Sequence, residues 1–334
     1  MRRISVEIVW LAFAAGLSAS CSSSNAGLLP SSANCHVKGP GSTNCGAANE
    51  SCCTSPVVAG GTYNRTYTND GTATGLADPA TVSSFRLDKY PVTVGRFRQY
   101  VAAWKSGWTP TAGTGIHTHV NGGKGLADSA TPGKYETGWV AADNSNVSLT
   151  DEDLGSDPDS TWTSKPGSQE NLPINEVTWY AAYAFCIWDG GFLPSEAEWE
   201  YAAAGGNQQR EYPWGETDPG TGNQYAIYGC NYPKGGVCAM LPTDLAPVGS
   251  ATLGAGLWGQ LDLVGDVAEW CMDWANDTYV DPCKDCAYLK ASDFGQRVIR
   301  GGGFSVGASD LITRDQANPT NNNSYEGFRC ARAP

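Results

Sequence analysis

Glycine occurs 41 times among the 334 residues, on no three-residue period. That is about one residue in eight, against ~7% in an average chain. The missing period excludes a collagen helix. An aromatic content of 10% excludes a disordered chain. Beyond the N-terminus no apolar run reaches the ~18 residues needed to span a bilayer. What remains is a turn-rich globule studded with 12 tryptophans and 12 cysteines. Its length suits one large domain with a leader, or two small ones. The balance of 21 basic against 34 acidic residues, net −13, lacks the basic footprint of a nucleic-acid partner.

The first residues read as an address. Arg2 and Arg3 precede a short apolar stretch, Ile8 to Leu17, followed by Leu17-Ser18-Ala19-Ser20-Cys21. This is a secretory leader, too short for a transmembrane helix. A cysteine directly after small residues resembles a bacterial lipobox, although Ser18 stands where leucine is usual. The reading is export, with Cys21 lipidated and the chain anchored to a membrane of the bacterial cell envelope. Ordinary cleavage after Ala19, with Cys21 in a disulfide, is the alternative. The domain reading is a signal peptide over 1–20, a Cys-rich tether over 21–56 and a folded domain over 57–334.

Outside the cytoplasm cysteines persist as disulfides. With Cys21 set aside an odd number remains, so one thiol is expected to be free or intermolecular. Cys35, Cys45, Cys52 and Cys53 crowd the tether. Cys230 and Cys238 flank a Gly-Gly turn, and Cys283 and Cys286 form a Cys-x-x-Cys pair. A structural disulfide is preferred to zinc there, because no second ligand pair lies nearby.

Three helices are expected. Phe97, Tyr100, Val101 and Trp104 follow helical spacing within Val92 to Trp104, with Thr93 as N-cap. A second runs from Val177 to Trp188 and stops at Gly190-Gly191. A third begins at Ser195, whose capping box is closed by Glu198, and ends at Gly205-Gly206. Short strand-like pieces follow. Residues 106–171, rich in Gly, Ser, Thr, Asp and Asn, form a loop of a length that is usually functional or partly disordered. Within it His117 and His119 alternate, a weak candidate for a metal pair against the reading of solvated loop residues. Walker A, HExxH, dinucleotide and Gly-x-Ser-x-Gly signatures are all missing.

Seven stretches stand in order along the chain: FRLDKYPVTVGRF (85–97), PINEVTWYAAYAFCIWDGGFLPSEAEWEYAAAGG (173–206), YPWGE (212–216), APVGS (246–250), GQLDLVGDVAEWCMDW (259–274), RVIRGGGF (297–304) and GFRCARA (327–333). Together they resemble the sulfatase-modifying-factor family, the formylglycine-generating enzymes and their relatives. The resemblance implies an α+β, C-type-lectin-like single domain with little regular secondary structure. Glycine suits such a fold because loops need residues at positive φ; tryptophan suits it by burying large area from short elements.

The resemblance also implies a disulfide between Cys186 and Cys330. It implies a structural calcium ion held by the carboxylates of Asp262 and Glu269 and the carbonyls of Gly265 and Val267, an all-oxygen set that suits calcium. The alternative is that Asp262 and Glu269 are structural hydrogen-bonding carboxylates. The family's second calcium site starts with an asparagine where this chain has Ile227, and is not carried over.

One departure bears on the chemistry. The family's copper-binding cysteine pair follows an Arg-Gly-Gly stretch, here Arg300-Gly301-Gly302. Ser305 to Arg314 contains no cysteine, and none occurs between Cys286 and Cys330. Val306 and Leu311, near the family's cysteine positions, cannot replace the soft thiolates that hold Cu(I). Copper and formylglycine generation are therefore not expected. Cys271 is a candidate for the odd thiol; burial, or pairing with Cys283 or Cys286, is preferred. The functional expectation is a surface binding or structural module for a protein or glycan ligand, without nucleic acid. The aromatic loop residues Trp108, His117, His119, Trp139 and Trp162 are its candidate recognition surface. A divergent oxidoreductase of the same family is the alternative.

Overall fold

In the computed structural model, residues 38–67, 75–233, 235, 237–291, 293–308 and 312–334 are described. The leader, Cys21 and Leu311 lie outside them. Among the described residues no helix is long and apolar enough to cross a membrane.

Regular structure is short. In chain order it comprises β1 (Val57–Val58), β2 (Gly61–Thr66), β3 (Ala77–Val82), β4 (Phe85–Leu87), α1 (Val94–Lys105), β5 (Ala127–Asp128), α2 (Trp179–Trp188), α3 (Glu196–Ala203), β6 (Ala268–Trp274), β7 (Cys283–Lys284), β8 (Cys286–Ala287), β9 (Arg297–Arg300), β10 (Arg314–Ala317), β11 (Glu326–Gly327) and β12 (Ala331–Arg332). The strands form sheets ordered β1-β4-β12, β10-β9-β6-β11, β2-β3-β7 and β5-β8.

The helices begin where local chemistry dictates. Thr93 accepts from the backbone N–H of Arg96, and Thr178 from that of Ala181. At α3 Ser195 and Glu198 close the expected capping box, each satisfying an orphan N–H of the other's segment. The second helix starts at Trp179, two residues later than the apolar pattern suggests, because Thr178 supplies the cap oxygen.

Strand β6 organises the interior through its two-residue period. Ala268, Trp270 and Met272 enter a core built from α1, α2 and the insertion, while Cys271 enters a second core shared by α3 and β2–β4. Glu269 and Asp273 point the same way as Cys271, toward α3: Trp199 Nε1 donates to Glu269, and Asp273 accepts from the N–H of Glu196.

Residues 40–56, read from sequence as tether, pack onto the domain. Cys45 and Cys52 are bonded to each other and buried, and Cys53 is disulfide-bonded too. Gly41 sits at φ +72, and a Cβ there would lie 2.0 Å from the carbonyl oxygen of Glu170. Only glycine permits so close a contact. The apolar count that suggested a tether is low because cysteine, glycine and backbone make this packing.

Cys186 and Cys330 are joined across a separation of 144 residues, tying α2 to the C-terminal strand. Closing so long a loop stabilises by about 5 kcal/mol on chain-entropy grounds. Cys230–Cys238 and Cys283–Cys286 are local bridges. The second links β7 to β8, and between them Asp285 receives the N–H and hydroxyl of Ser83.

The 106–171 segment is a folded insertion. Trp139 and Trp162 are 1% and 6% exposed, and Trp108 packs on the same core. Of the expected recognition residues, His117, Trp139 and Trp162 are therefore interior, and Trp108 and His119 are half-buried. Polar composition hid this, because the tryptophans are spaced widely and each satisfies its indole N–H locally, Trp139 on Asn144 and Trp162 on Asp151.

Candidate functional site

Two places concentrate chemistry. The first surrounds β9 and the turn Arg300-Gly301-Gly302, facing α3. Helix spacing puts Glu196 and Glu200 on one face. Arg300 meets Glu200 at 2.8 Å and Glu196 at 4.0 Å, and Arg314 meets Glu196 at 2.6 Å. Tyr279 donates to Glu196 (3.1 Å) or Glu200 (3.3 Å), and Tyr63 donates to Glu200 at 3.2 Å. Burial raises Glu200 to about 7 against the pull of Arg300. For Glu196 the burial effect is outweighed by Arg314 and Arg300, and its carboxyl is lowered.

This network leaves little room. Cavities of about 30 Å³, against Trp199, Arg300 and Thr313, and about 40 Å³, against Gly302, Val306 and Tyr325, flank Arg300. Each holds about one water. Gly301 takes φ +95, and a Cβ would lie 2.5 Å from the carbonyl oxygen of Leu263, which locks the turn. Val306 is half-buried beside this turn. The one free cysteine among the described residues is Cys271, fully buried; burial first, then Glu196 and Asp273, push its thiol well above the ordinary range. A deprotonated, reachable thiolate is what reactivity requires.

The turn expected to hold calcium precedes β6 and runs into its second residue, Glu269. Glu269 accepts from Arg329 Nε (2.9 and 2.7 Å) and Nη2 (2.7 Å) and from Trp199 Nε1 (2.7 Å), with both ion-pair partners 0% exposed. Arg329 also donates to the carbonyls of Asp88, Lys89, Leu261 and Asp262. Both oxygens of Glu269 are thus held by a guanidinium and an indole, and Glu269 is the counter-ion of Arg329. Asp262 accepts from the Gly249 N–H at 2.5 Å. Burial raises Asp262 to about 6 and, with Asp262 as neighbour, raises Asp266 well above its usual range. Asp266 Oδ2 is buried without a donor, so the unneutralised acid of this turn is Asp262 with Asp266. Gly265 and Val267 lie in the same buried turn.

The second place is under the insertion. A cavity of about 340 Å³ is bounded by Tyr135, Thr137 and Asp143 of the insertion, Trp179 and Tyr183 of α2, and Arg297 of β9. The guanidinium of Arg297 lies 3.7 Å from the ring centres of both Trp179 and Trp274. It donates to the Met272 carbonyl, its Nε is buried without a partner, and no carboxylate among the described residues pairs with it. Burial lowers Arg297 to about 9.

His117 belongs to neither cavity. It bridges Glu136 of the insertion (3.0 Å) and Glu198 of α3 (3.1 Å) while fully buried. Burial alone would lower it, but the two carboxylates dominate and raise it to about 10. It is a charged clamp rather than a metal ligand. His119 stacks on Phe192 at 5.4 Å. Sequence reading missed the clamp, the Arg297 stack and the Arg329–Glu269 pair. The only local signals were the Glu196/Glu200 spacing and the alternation along β6.

The comparisons with known proteins agree with this architecture. The profile of the sulfatase-modifying factor enzyme 1-like domain matches residues 43–334, and the chain belongs to that family. It is 30% identical to a formylglycine-generating enzyme of Thermomonospora curvata over 286 residues, 76% of this chain and 83% of the relative. It is 35% identical to the Streptomyces coelicolor formylglycine-generating enzyme over 168 residues, 48% of this chain and 52% of the relative. The solved structure of PvdO from Pseudomonas aeruginosa superimposes with a TM-score of 0.54 over 89% of this chain and 100% of its own, at 19% identity, which shows the shared fold alone. The C-type-lectin-like α+β architecture expected from the sequence is the one observed. The profile begins at residue 43, consistent with the packing of residues 40–56.

Proposed function

We propose that this chain is an exported, lipid-anchored family member that binds a ligand at the bacterial cell envelope and does not generate formylglycine. The observation that carries the reading is the face around Arg300. No cysteine follows Gly302 until Cys330. The free thiol beneath that face is enclosed, and the space beside Arg300 admits about a water on either side.

The ligand site is the 340 Å³ cavity, within the ~300–1,000 Å³ range of small-molecule sites. Its anchor is Arg297, held rigid by two indoles and lacking an acidic partner. Asp128, Glu136 and Asp143 also line the cavity, but none forms an ion pair with Arg297, whose guanidinium is the group there that can bind an anion, such as a carboxylate on a protein or an acidic sugar.

The test uses the purified chain with Cu(I) and a Cys-x-Pro-x-Arg peptide, with aldehyde formation followed by mass spectrometry. No product is expected, and turnover overturns the reading. In parallel, an array of acidic saccharides and carboxylated peptides is screened by calorimetry. Hits that Arg297→Met abolishes are expected; hits that are indifferent to it move the site elsewhere. Fractionation of cells, with and without Cys21→Ala, checks the anchor: loss of the chain from the membrane fraction is expected.

A further inference from the structure

The root of the insertion carries a third concentration of charge that none of the preceding chemistry uses. Asp157 and Asp159 lie in the turn after residues 153–155 of the insertion, and Glu176 lies two residues before the α2 cap. One carboxylate oxygen from each comes within 4.8 Å of the others. Glu176 is 1% and Asp159 3% exposed, whereas Asp157 is exposed. Glu176 accepts from the Ser156 N–H (2.9 Å) and hydroxyl (3.1 Å) and from the Asp157 N–H (3.0 Å). Asp159 Oδ2 is buried and receives no hydrogen bond. No lysine, arginine or histidine among the described residues pairs with any of the three.

We infer that Asp157, Asp159 and Glu176 form a binding site for a calcium-sized divalent cation. Three carboxylates this close repel one another, and a buried oxygen without a donor is costly unless something cationic meets it. Oxygens no more than 4.8 Å apart can all reach one ion, and an all-carboxylate set at ~2.3–2.6 Å bonds suits calcium. The exposed side at Asp157 leaves room for water to complete six to eight ligands. Magnesium, with ~2.0–2.1 Å bonds and strict octahedral demands, fits less well. The other acidic group with metal-like spacing, Asp88, Asp189 and Cys330, carries no such inference. Arg96 and Arg332 pair with both aspartates, and Cys330 is in a disulfide.

A cation here clamps the insertion to the base of α2, whose first residue, Trp179, stacks on Arg297. Calcium binding to the full chain is measured by equilibrium dialysis, with melting in calcium and in chelator, for wild type, Asp159→Asn and Asp262→Asn. The second variant isolates the turn before β6. Wild type is expected to bind calcium and to melt higher in its presence. Asp159→Asn is expected to lose one bound ion, or at least ten-fold in affinity. In chelator it should melt above wild type, because the amide can donate where the carboxylate only repels. Asp262→Asn should keep the ion lost in Asp159→Asn. Equal calcium stoichiometry and affinity in wild type and Asp159→Asn, or no calcium binding by wild type, overturns the site. So does a chelator-state Asp159→Asn that melts below wild type with unchanged calcium response.

Discussion

Helix α3 and the root of the insertion each gather three acidic side chains and treat them in opposite ways. Glu196, Glu198 and Glu200 are all buried, and each has a cation: Arg314, His117 and Arg300. Asp157, Asp159 and Glu176 have none among the described residues. The same contrast separates two arginines. Arg329 is saturated by Glu269 and four carbonyls, while Arg297 lies between two indoles with one nitrogen unsatisfied. Matched charges hold the fold together, because removing one partner strands the other. An unmatched buried charge is a standing cost that an external partner can relieve. The face around Arg300 is thus the closed half of this molecule, and the insertion with its root is the open half.

The sharpest way to break this contrast is Arg329→Met. It leaves Glu269 buried without its cation, and the loss is expected to reach or exceed about 3–5 kcal/mol. Urea unfolding of the oxidised protein reads it. A loss under about 1 kcal/mol would mean that the closed half is not built on matched charge.

His117→Gln follows, at about 3 kcal/mol near neutral pH, since Glu136 and Glu198 lose their shared cation. The pH dependence carries the sign. The folded imidazolium is raised from the usual ~6.5 to about 10. Its stabilisation is complete below ~6.5 and is lost as pH climbs toward about 10. Wild type minus variant should shrink across that window. A difference that is flat from pH 6 to 10 would show a packing role without charge.

How much of this contrast could be read in advance depends on sequence distance. The caps at Thr93 and Ser195, the Cys230–Cys238 turn and the Cys283–Cys286 pair are local, so short-range spacing revealed them. Cys186–Cys330 came only through family resemblance. The partners of His117 lie 19 and 81 residues away, and the tryptophans flanking Arg297 arrive from α2 and β6. In a fold made of loops, topology rather than period sets such neighbours. The insertion misled for the same reason: polar, glycine-rich sequence conceals tryptophans that each bury alone. The Arg329–Glu269 pair was hidden for the same reason, its partners standing 60 residues apart.

Arg297→Met tests the open half. Methionine keeps apolar contact with Trp179 and Trp274 and removes a charge that burial already disfavours. Two cation–π contacts of ~0.5–1 kcal/mol each are lost, partly offset by the relieved desolvation. Stability should change by no more than about 1 kcal/mol, while affinity for an anionic ligand falls at least ten-fold. A collapse like that of Arg329→Met would place Arg297 among the matched structural charges.

The smallest effect is expected at Cys271. Replacement by alanine removes a sulfur from a packed site and should cost about 1 kcal/mol. Its value lies in kinetics. Enclosed, with its thiol pushed far above the ordinary range, Cys271 should react with iodoacetamide only as fast as the protein unfolds. Mass spectrometry of the native protein over a denaturant series measures this directly. Labelling in buffer at a rate well above global unfolding would mean that the face around Arg300 opens in the folded state. The closed half would then have its own access route, and the division between the two halves would have to be redrawn at β6.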